Sequence, residues 1–499
     1  MRRWWPYVAI AVAAVLLTVF EADLLYTAQE QSLFLHTPLF FEQQMVRAGG
    51  LLTWASCYLT QFFYYPMLGA GILSLLWAFL LWLLRRTFRL FDAWPGLVPV
   101  ACLLMTITTL GYWVYYLKLP GVLFDSTIGT IMAVLLAWGY RSLTARYALR
   151  TMFIPLSACV AYPLFGFYGL WGVALMGLLS WRTERSHRIV DSLLAVLSIV
   201  AIPQVCYHTI YHETNIVNVY WTALPVFSYS GHRFFGYYIP YIILVVSICL
   251  MAWPIPRNRW LRTAVLAMSV IAVAVFWYKD DNFHRELAMR HSIDKQDWNG
   301  VLRTAKNVKG EPTRAICLMR NLALFRLGQT GNEMSGYKNG SALPNAPFPV
   351  RMVHTIGKRL YLEYGIPNYC YRWCMEDGVE YGWTVERLRL MTLCSLINGE
   401  FDAAQHYINL LKKTDFHDSW ARHYQDQLYR PQLIANDPAL KHVIPLLRDD
   451  NFLTSDQSQE EHFLIEHFLS TPGNTREQQE LARFTMRYYR SNRSKIIEP

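Results

Sequence analysis

The chain has 499 residues, 54% of them hydrophobic and only 16% charged, with a formal net charge of +10. That length is too great for one ordinary core and predicts at least two domains. The basic excess sits in the apolar part: residues 1–278 hold 17 Lys and Arg against 9 Asp and Glu, and the remainder holds 29 against 27. No basic stripe of the kind nucleic-acid readers carry is present, which excludes nucleic acid as a partner and makes the lipid bilayer the first one.

A helix needs about 20 apolar residues to cross a bilayer. Nine such runs are predicted, near 4–22, 64–84, 95–115, 121–140, 151–166, 168–181, 189–209, 236–254 and 261–278. The fifth and sixth are short and meet at Gly166-Phe167-Tyr168-Gly169, so they read either as two spans or as a tilted or re-entrant hairpin. The first run ends in Phe20-Glu21-Ala22-Asp23 with no small-x-small cleavage site, which favours an uncleaved span over a signal peptide. Fourteen basic residues, from Arg2 and Arg3 through Arg85, Arg141 and Arg182 to Arg262, fall in one set of alternate loops. Only Arg47, Lys118 and Arg233 fall in the other. Basic loops stay cytoplasmic. The N-terminus is therefore expected in the cytoplasm and, with an odd number of spans, everything after Tyr278 outside.

The first external loop, residues 21–63, is the stretch where chemistry is expected. It opens with Glu21 and Asp23 at the membrane surface. An amphipathic segment follows from Pro38 to Val46, then a break at Gly49-Gly50, and the chain returns through the aromatic run Phe62 to Tyr65. Four acids are predicted at the outer surface: Glu21, Asp23, Asp125 and Glu213. The bases on that side are Arg47, Lys118, His232 and Arg233. Ionisable groups at a membrane edge are costly and tend to be paired or functional. A carboxylate among apolar neighbours has its pKa raised and can act as a general base, and an arginine can grip a phosphate bidentately. The plainer reading is that Glu21 and Asp23 end the first helix among the headgroups while Arg47 pairs with one of them. His208, His212 and Glu213 form H-x-x-x-H-E. On a helix the two histidines would share a face and could hold a divalent metal, with a further ligand from elsewhere. The order is not that of the H-E-x-x-H metalloproteases.

From Lys279 the pattern turns amphipathic and helical, so residues 279–499 are expected to form a separate domain. Gly365-Ile-Pro-Asn-Tyr-Cys370 aligns with Gly399-Glu-Phe-Asp-Ala-Ala404 at a separation of 34 residues, the tetratricopeptide period. Each glycine follows a predicted helix, 352–364 and 385–398, and a weaker unit turns at Gly328. Such pairs cannot bury their apolar faces alone and are expected to stack into an α-solenoid that presents a surface to a protein partner. Of nine cysteines, Cys317, Cys370, Cys374 and Cys394 fall in this domain. A bridge from Cys370 or Cys374 to Cys394 is conceivable on spacing; buried thiols in helix seams are the simpler reading.

The predicted fold is thus all-α: a polytopic helical membrane domain over 1–278, then a tetratricopeptide-like solenoid. This layout, with an acid at the outer end of span one, a long first external loop with surface helices and an external repeat domain, resembles the C-type membrane glycosyltransferases. The resemblance implies a polyprenyl-phosphate sugar as donor and an acid of the first external loop, Asp23 or Glu21 beside it, as catalytic base. Three stretches also resemble an uncharacterised family of bacterial multispanning proteins typical of gut Bacteroidota: GGLLTWASCYLTQFFYYPMLGA at 49–70, NLALFRLGQTGNEM at 321–334 and RLMTLCSLINGEFDAAQHYINLLKKTDFHDSWA at 389–421. That likeness implies a bacterial inner membrane and a periplasmic C-terminal domain. Two functions follow as expectations. One is transfer of a sugar from a lipid carrier at the outer face, with Asp23 or Glu21 as base, Arg47 or Arg233 on the phosphate, and His232, Lys118 and Asp125 lining the substrate. The other is a non-catalytic adaptor whose repeats gather envelope proteins. A transporter fits less well, because inverted repeats and mid-span acids are not evident.

Overall fold

The computed structural model describes residues 4–89, 94–118, 121–143, 147–182, 187–212, 214–252, 259–447, 460–470 and 474–496. The chain divides into two compact units, one of residues 1–113 and 117–278, the other of 114–116 and 279–499. Both are helical. Among the described residues the only sheet is a hairpin of two-residue strands, β1 (Ser228–Tyr229) and β2 (His232–Arg233).

The first unit opens with α1 (Trp5–Phe20) and α2 (Ala22–Glu30), bent by 77° at Glu21. Then come α3 (Pro38–Met45), α4 (Gly50–Thr60), α5 (Pro66–Phe88), α6 (Leu97–Thr109), α7 (Val122–Ser142), α8 (Tyr147–Phe165), α9 (Phe167–Ser180), α10 (Arg188–Thr209), α11 (Ile239–Ala252) and α12 (Arg259–Phe276). Among the described residues five helices are long and apolar enough to cross a membrane: α5, α7, α8, α10 and the segment Phe235–Ala252 that ends in α11. The bent pair α1–α2 makes a sixth if it is one span. On α10, Leu193, Val196, Leu197 and Val200 all face outward. In water each would forgo roughly 1.5–3 kcal/mol of burial; in lipid the stripe costs nothing. The chain is helical and carries several apolar helices that could span a membrane.

Nine spans are expected from the sequence, and the count is corrected by helix length. Helix α6 has 13 residues and α9 has 14, about 20 Å each at 1.5 Å per residue, short of a hydrocarbon core about 30 Å thick. The apolar part of α12 is Ala267–Phe276. Conversely α8, expected to be short, runs 19 residues. It turns into α9 at Gly166, whose φ of +56° and 2.6 Å clearance to the Thr222 carbonyl leave no room for a side chain.

The arginine-bearing helix ends meet at one end of this unit. The Arg85 guanidinium lies 5.3 Å over the Tyr7 ring at the start of α1. Arg141 donates to the Thr87 carbonyl and Arg182 to that of Phe88, both at the end of α5. Asp191, fully buried at the start of α10, accepts from Tyr140 at 2.5 Å, Thr151 at 2.8 Å and Arg150 at 3.2 Å. At the other end, Trp277 Nε1 donates to Glu21 at 2.6 Å and the Tyr278 amide to the Ile107 carbonyl at 3.1 Å.

The second unit contains α13 (Asp281–Asp294), α14 (Trp298–Lys306), α15 (Arg314–Arg326), α16 (Lys358–Glu363), α17 (Pro367–Tyr381), α18 (Val385–Ile397), α19 (Phe401–Leu411), α20 (Asp418–Gln425), α21 (Pro431–Asn436), α22 (Glu460–Ser470) and α23 (Arg476–Ile496). From α16 to α20 each helix packs on the next in chain order. Gly328, Gly365 and Gly399 end α15, α16 and α18 with φ of +66°, +81° and +74°. Behind each, a bond reaches back five residues: Gln329 to Leu324, Ile366 to Tyr361 and Glu400 to Ser395, at 2.8–2.9 Å. This is the left-handed glycine cap that closes a helix end. Cys370 and Ala404, the small residues of the 34-residue period, are fully buried. All nine cysteines are free; Cys370, Cys374 and Cys394 lie side by side as buried thiols rather than as the bridge weighed from spacing.

Candidate functional site

Helix α7 begins after Gly121, whose left-handed φ of +83° starts the first turn. Gly121, Asp125 and Gly129 are spaced by four residues, so they form one stripe along the helix. Both glycines are there because something packs where a side chain would be. A Cβ on Gly121 would stand 2.8 Å from Ser56 of α4, and one on Gly129 would stand 2.4 Å from the Tyr168 ring of α9. The carboxylate between them is 2% exposed. Among the described residues no partner stands within strict hydrogen-bond distance of its oxygens or of the Ser56 and Tyr168 hydroxyls, although the Ser56 hydroxyl is close enough to stabilise the carboxylate.

The Ser56 hydroxyl faces the Asp125 carboxylate, and the Arg47 guanidinium is the cation whose charge reaches it. The Asp125 charge in turn reaches the hydroxyls of Tyr168 and Tyr241. Arg47 itself is exposed. Burying a charge or a hydroxyl without compensation costs several kcal/mol, of order 2–7 for a neutral polar group alone. Asp125 and Ser56 face each other, so part of that cost is offset between them.

The first loop is folded so that it delivers Ser56 and Arg47 here. Gly49 takes φ +86° with its amide bonded to the Pro163 carbonyl at 2.8 Å, and a side chain on Gly50 would strike the Gln44 carbonyl at 2.2 Å. The Gly49-Gly50 break therefore sets the start of α4. Helix α3 before it buries only Phe40 and leaves Leu39 and Phe41 outward, the pattern of a helix lying on an apolar surface.

The other predicted residues are placed differently. Glu21 is 2% exposed at the α1–α2 bend and is engaged by the Trp277 indole, so it holds the end of α12. Asp23 is half-buried in the first turn of α2. Arg47 makes no ion pair with either acid among the described residues. Lys118 is exposed in the segment before α7. His232 and Arg233 are exposed on β2, and no hydrogen bond or ion pair among the described residues joins them to Glu21, Asp23 or Asp125. Helix α10 ends at Thr209, so His208 and His212 do not share a helical face; both are exposed, and Glu213 lies outside the described residues. Among the described residues no three His, Cys, Asp or Glu side chains come together as metal ligands. Ser56, Tyr168 and Tyr241 are the residues that sequence reasoning missed. The four-residue spacing Gly121-Asp125-Gly129 was the available signal, since glycines bracketing a membrane acid mark close approach on its face.

The second unit carries a separate polar centre. A single turn of π-helix at Val353–Gly357 leaves two carbonyls, of Val353 and His354, to accept from Lys358 Nζ at 3.1 and 3.2 Å. Lys358 also bonds Asp377, which accepts from His354 Nδ1 at 2.7 Å, and Arg387 stands 3.8 Å away. Burial opposes the Asp377 charge, yet Lys358, His354 and Arg387 together hold this carboxyl well below its usual range. Lys358, His354 and Asp377 are all engaged within it, and the network reads as structural.

A family described as "Family of unknown function (DUF6057)" matches residues 3–485. No curated protein and no solved structure matches the chain.

Proposed function

The chain belongs to the DUF6057 family, a family of unknown function, and from that premise we propose that it is a transferase of the bacterial inner membrane. It takes a sugar from a lipid-phosphate carrier at the outer face. One observation carries the reading: Asp125 and Ser56 meet on a buried polar face within reach of the charge of the exposed Arg47. Such a face fits the polar head of a lipid-anchored substrate, with Arg47 on the phosphate. Asp23 is the base in this scheme, because Glu21 is committed to Trp277. The first-loop helices would lie at the membrane surface where a lipid carrier arrives. The N-terminus is then cytoplasmic and the second unit periplasmic. The resemblance to C-type glycosyltransferases supplies the reaction class. No resident metal is assigned.

The test is transfer from radiolabelled polyprenyl-phosphate sugars by the full chain in proteoliposomes. Asp23→Asn should abolish transfer, whereas Asp125→Asn should raise KM more than it lowers kcat, since it removes binding rather than chemistry. Full activity in both Asp23→Asn and Glu21→Gln would overturn the assignment of the base, and no transfer from any carrier would overturn the reaction.

A second reading is favoured by the glycine-capped helices of the second unit: α16–α17 and α18–α19 would be tetratricopeptide-like pairs that gather an envelope protein. It predicts that Asp23 and Asp125 are dispensable in cells while the second unit is not.

A further inference from the structure

The charge of residues 279–499 is nearly balanced in sum but not in place. Helix α23 holds six of the 29 bases and two of the 27 acids, and from Leu481 to Ile496 it holds five bases and no acid. One face of the helix is fixed. Leu481, Ala482, Thr485 and Tyr488 are buried there, and the Tyr488 hydroxyl donates to the Gly340 carbonyl at 2.5 Å. The opposite face opens with an internal pair, Arg476 to Glu480 at 2.9 Å. Beyond it stand Arg483, Arg487 and Arg490, whose spacings of four and three align them in one stripe about 10 Å long. All three are exposed, and none has an ion pair among the described residues.

Like charges at these spacings repel one another on a helix. The helix dipole favours bases only in the last turn, and Arg483 and Arg487 lie more than two turns before the end at Ile496. The row is therefore open to an anion from outside, and the planar fork of arginine suits phosphate. Beside the row, Phe484 and Tyr489 are half-buried, so it lacks the exposed aromatic anchor on which a protein interface centres. Three guanidinium groups are few for holding a free polyanion such as nucleic acid in physiological salt. They are enough for a surface that the apolar helices of the same chain keep within reach, where the effective concentration is high. That surface is a bilayer.

We propose that Arg483, Arg487 and Arg490 dock α23 on anionic phospholipid headgroups. The proposal is independent of the transferase. Its test follows hydrogen exchange of the full chain in nanodiscs of phosphatidylcholine and of phosphatidylglycerol. Each base near an anionic surface contributes a factor of roughly five. Exchange over residues 483–496 should therefore be about tenfold slower or more in phosphatidylglycerol, with exchange over α17 the same in both lipids. The difference should vanish in about 1 M salt, where charges are screened beyond about 3 Å. A combined Arg483→Gln, Arg487→Gln and Arg490→Gln variant should lose it too, and unchanged exchange over α17 checks that this variant is folded. Equal exchange in the two lipids in the unmodified protein overturns the proposal, and that result depends on no variant. A lipid effect that survives the salt or the variant removes these arginines from it. Slowing by an added single-stranded oligonucleotide, with none from phosphatidylglycerol, would also overturn it and give the row to a nucleic acid.

Discussion

His417 lies just before α20, 3% exposed, and burial followed by the nearby Arg389 charge pushes its imidazole down to about 3. The neutral ring is what the fold accommodates. In the unfolded chain it titrates near 6.5, so the unfolded state takes up a proton first as the pH falls. The stability held by the neutral ring is complete above about pH 6.5 and is lost progressively between there and about pH 3. Asp377 is shifted downward too, but as a carboxyl its contribution fades only below about pH 4. His442 is shifted in the same direction as His417 but is exposed, so solvent screens it. The window from pH 7 to 5 is therefore where the His417 contribution is lost, apart from the carboxyl of Asp377. The melting temperature of the second unit should fall across that window, and His417→Gln should flatten the fall. An unchanged slope in the variant would show that another group controls it. At this scale the sequence is readable only for residues whose cost is intrinsic. Asp125 stands out in any membrane segment, whereas Ser56 and Tyr168 are ordinary until their packing against α7 is seen. His417 shows nothing in sequence, because its burial comes from the packing of residues distant along the chain.

Among the elements, α7 packs so closely on α9 that glycine decides the fit. Adding a methyl at Gly129 drives it to 2.4 Å from the Tyr168 ring, while at Gly71 of α5 nothing lies within 4 Å. Both are helix-interior glycines, where alanine is otherwise preferred by roughly 0.5–1 kcal/mol. Gly129→Ala should therefore destabilise by about 1–3 kcal/mol through overpacking, and Gly71→Ala should be neutral or slightly stabilising. Thermal melts of the two variants in one detergent give the comparison; equal effects would mean that the α7–α9 contact yields easily. The same logic explains the span count. Hydropathy runs on without a break through 95–115, but the backbone turns at Gly111, which takes φ +43° with its Cβ position 3.3 Å from the Tyr278 ring. A composition window cannot register a helix stopped by a tertiary contact. The caps at Gly365 and Gly399 were legible for the opposite reason: they depend on local backbone geometry, which glycine spacing records directly.

For the whole molecule, the charges and the helix ends agree on one polarity. Arg85, Arg141, Arg150 and Arg182 belong to helix ends joined by side-chain contacts at one end of the membrane unit. Glu21, Trp277 and Tyr278 meet at the ends of α1, α12 and α6, where the chain carries few bases. Helix α1 starts beside Arg85 and finishes at Glu21, so it joins the two ends. Because basic ends remain in the cytoplasm, the last residue of the membrane unit, Tyr278, should emerge on the outer side, and residues 279–499 with it. The inference needs no total of spans, which is why it survives the change from nine runs to five long helices. It is checked with reporters fused after Pro499, one active only outside the inner membrane and one only inside. Activity of the outer reporter alone is expected. Activity of the inner reporter alone would place the second unit in the cytoplasm, and transfer from a lipid carrier at the outer face could then not involve it. The same outcome would require the Glu21–Trp277 end to face inward despite its shortage of arginine, so the charge asymmetry and the reaction scheme stand or fall on one measurement.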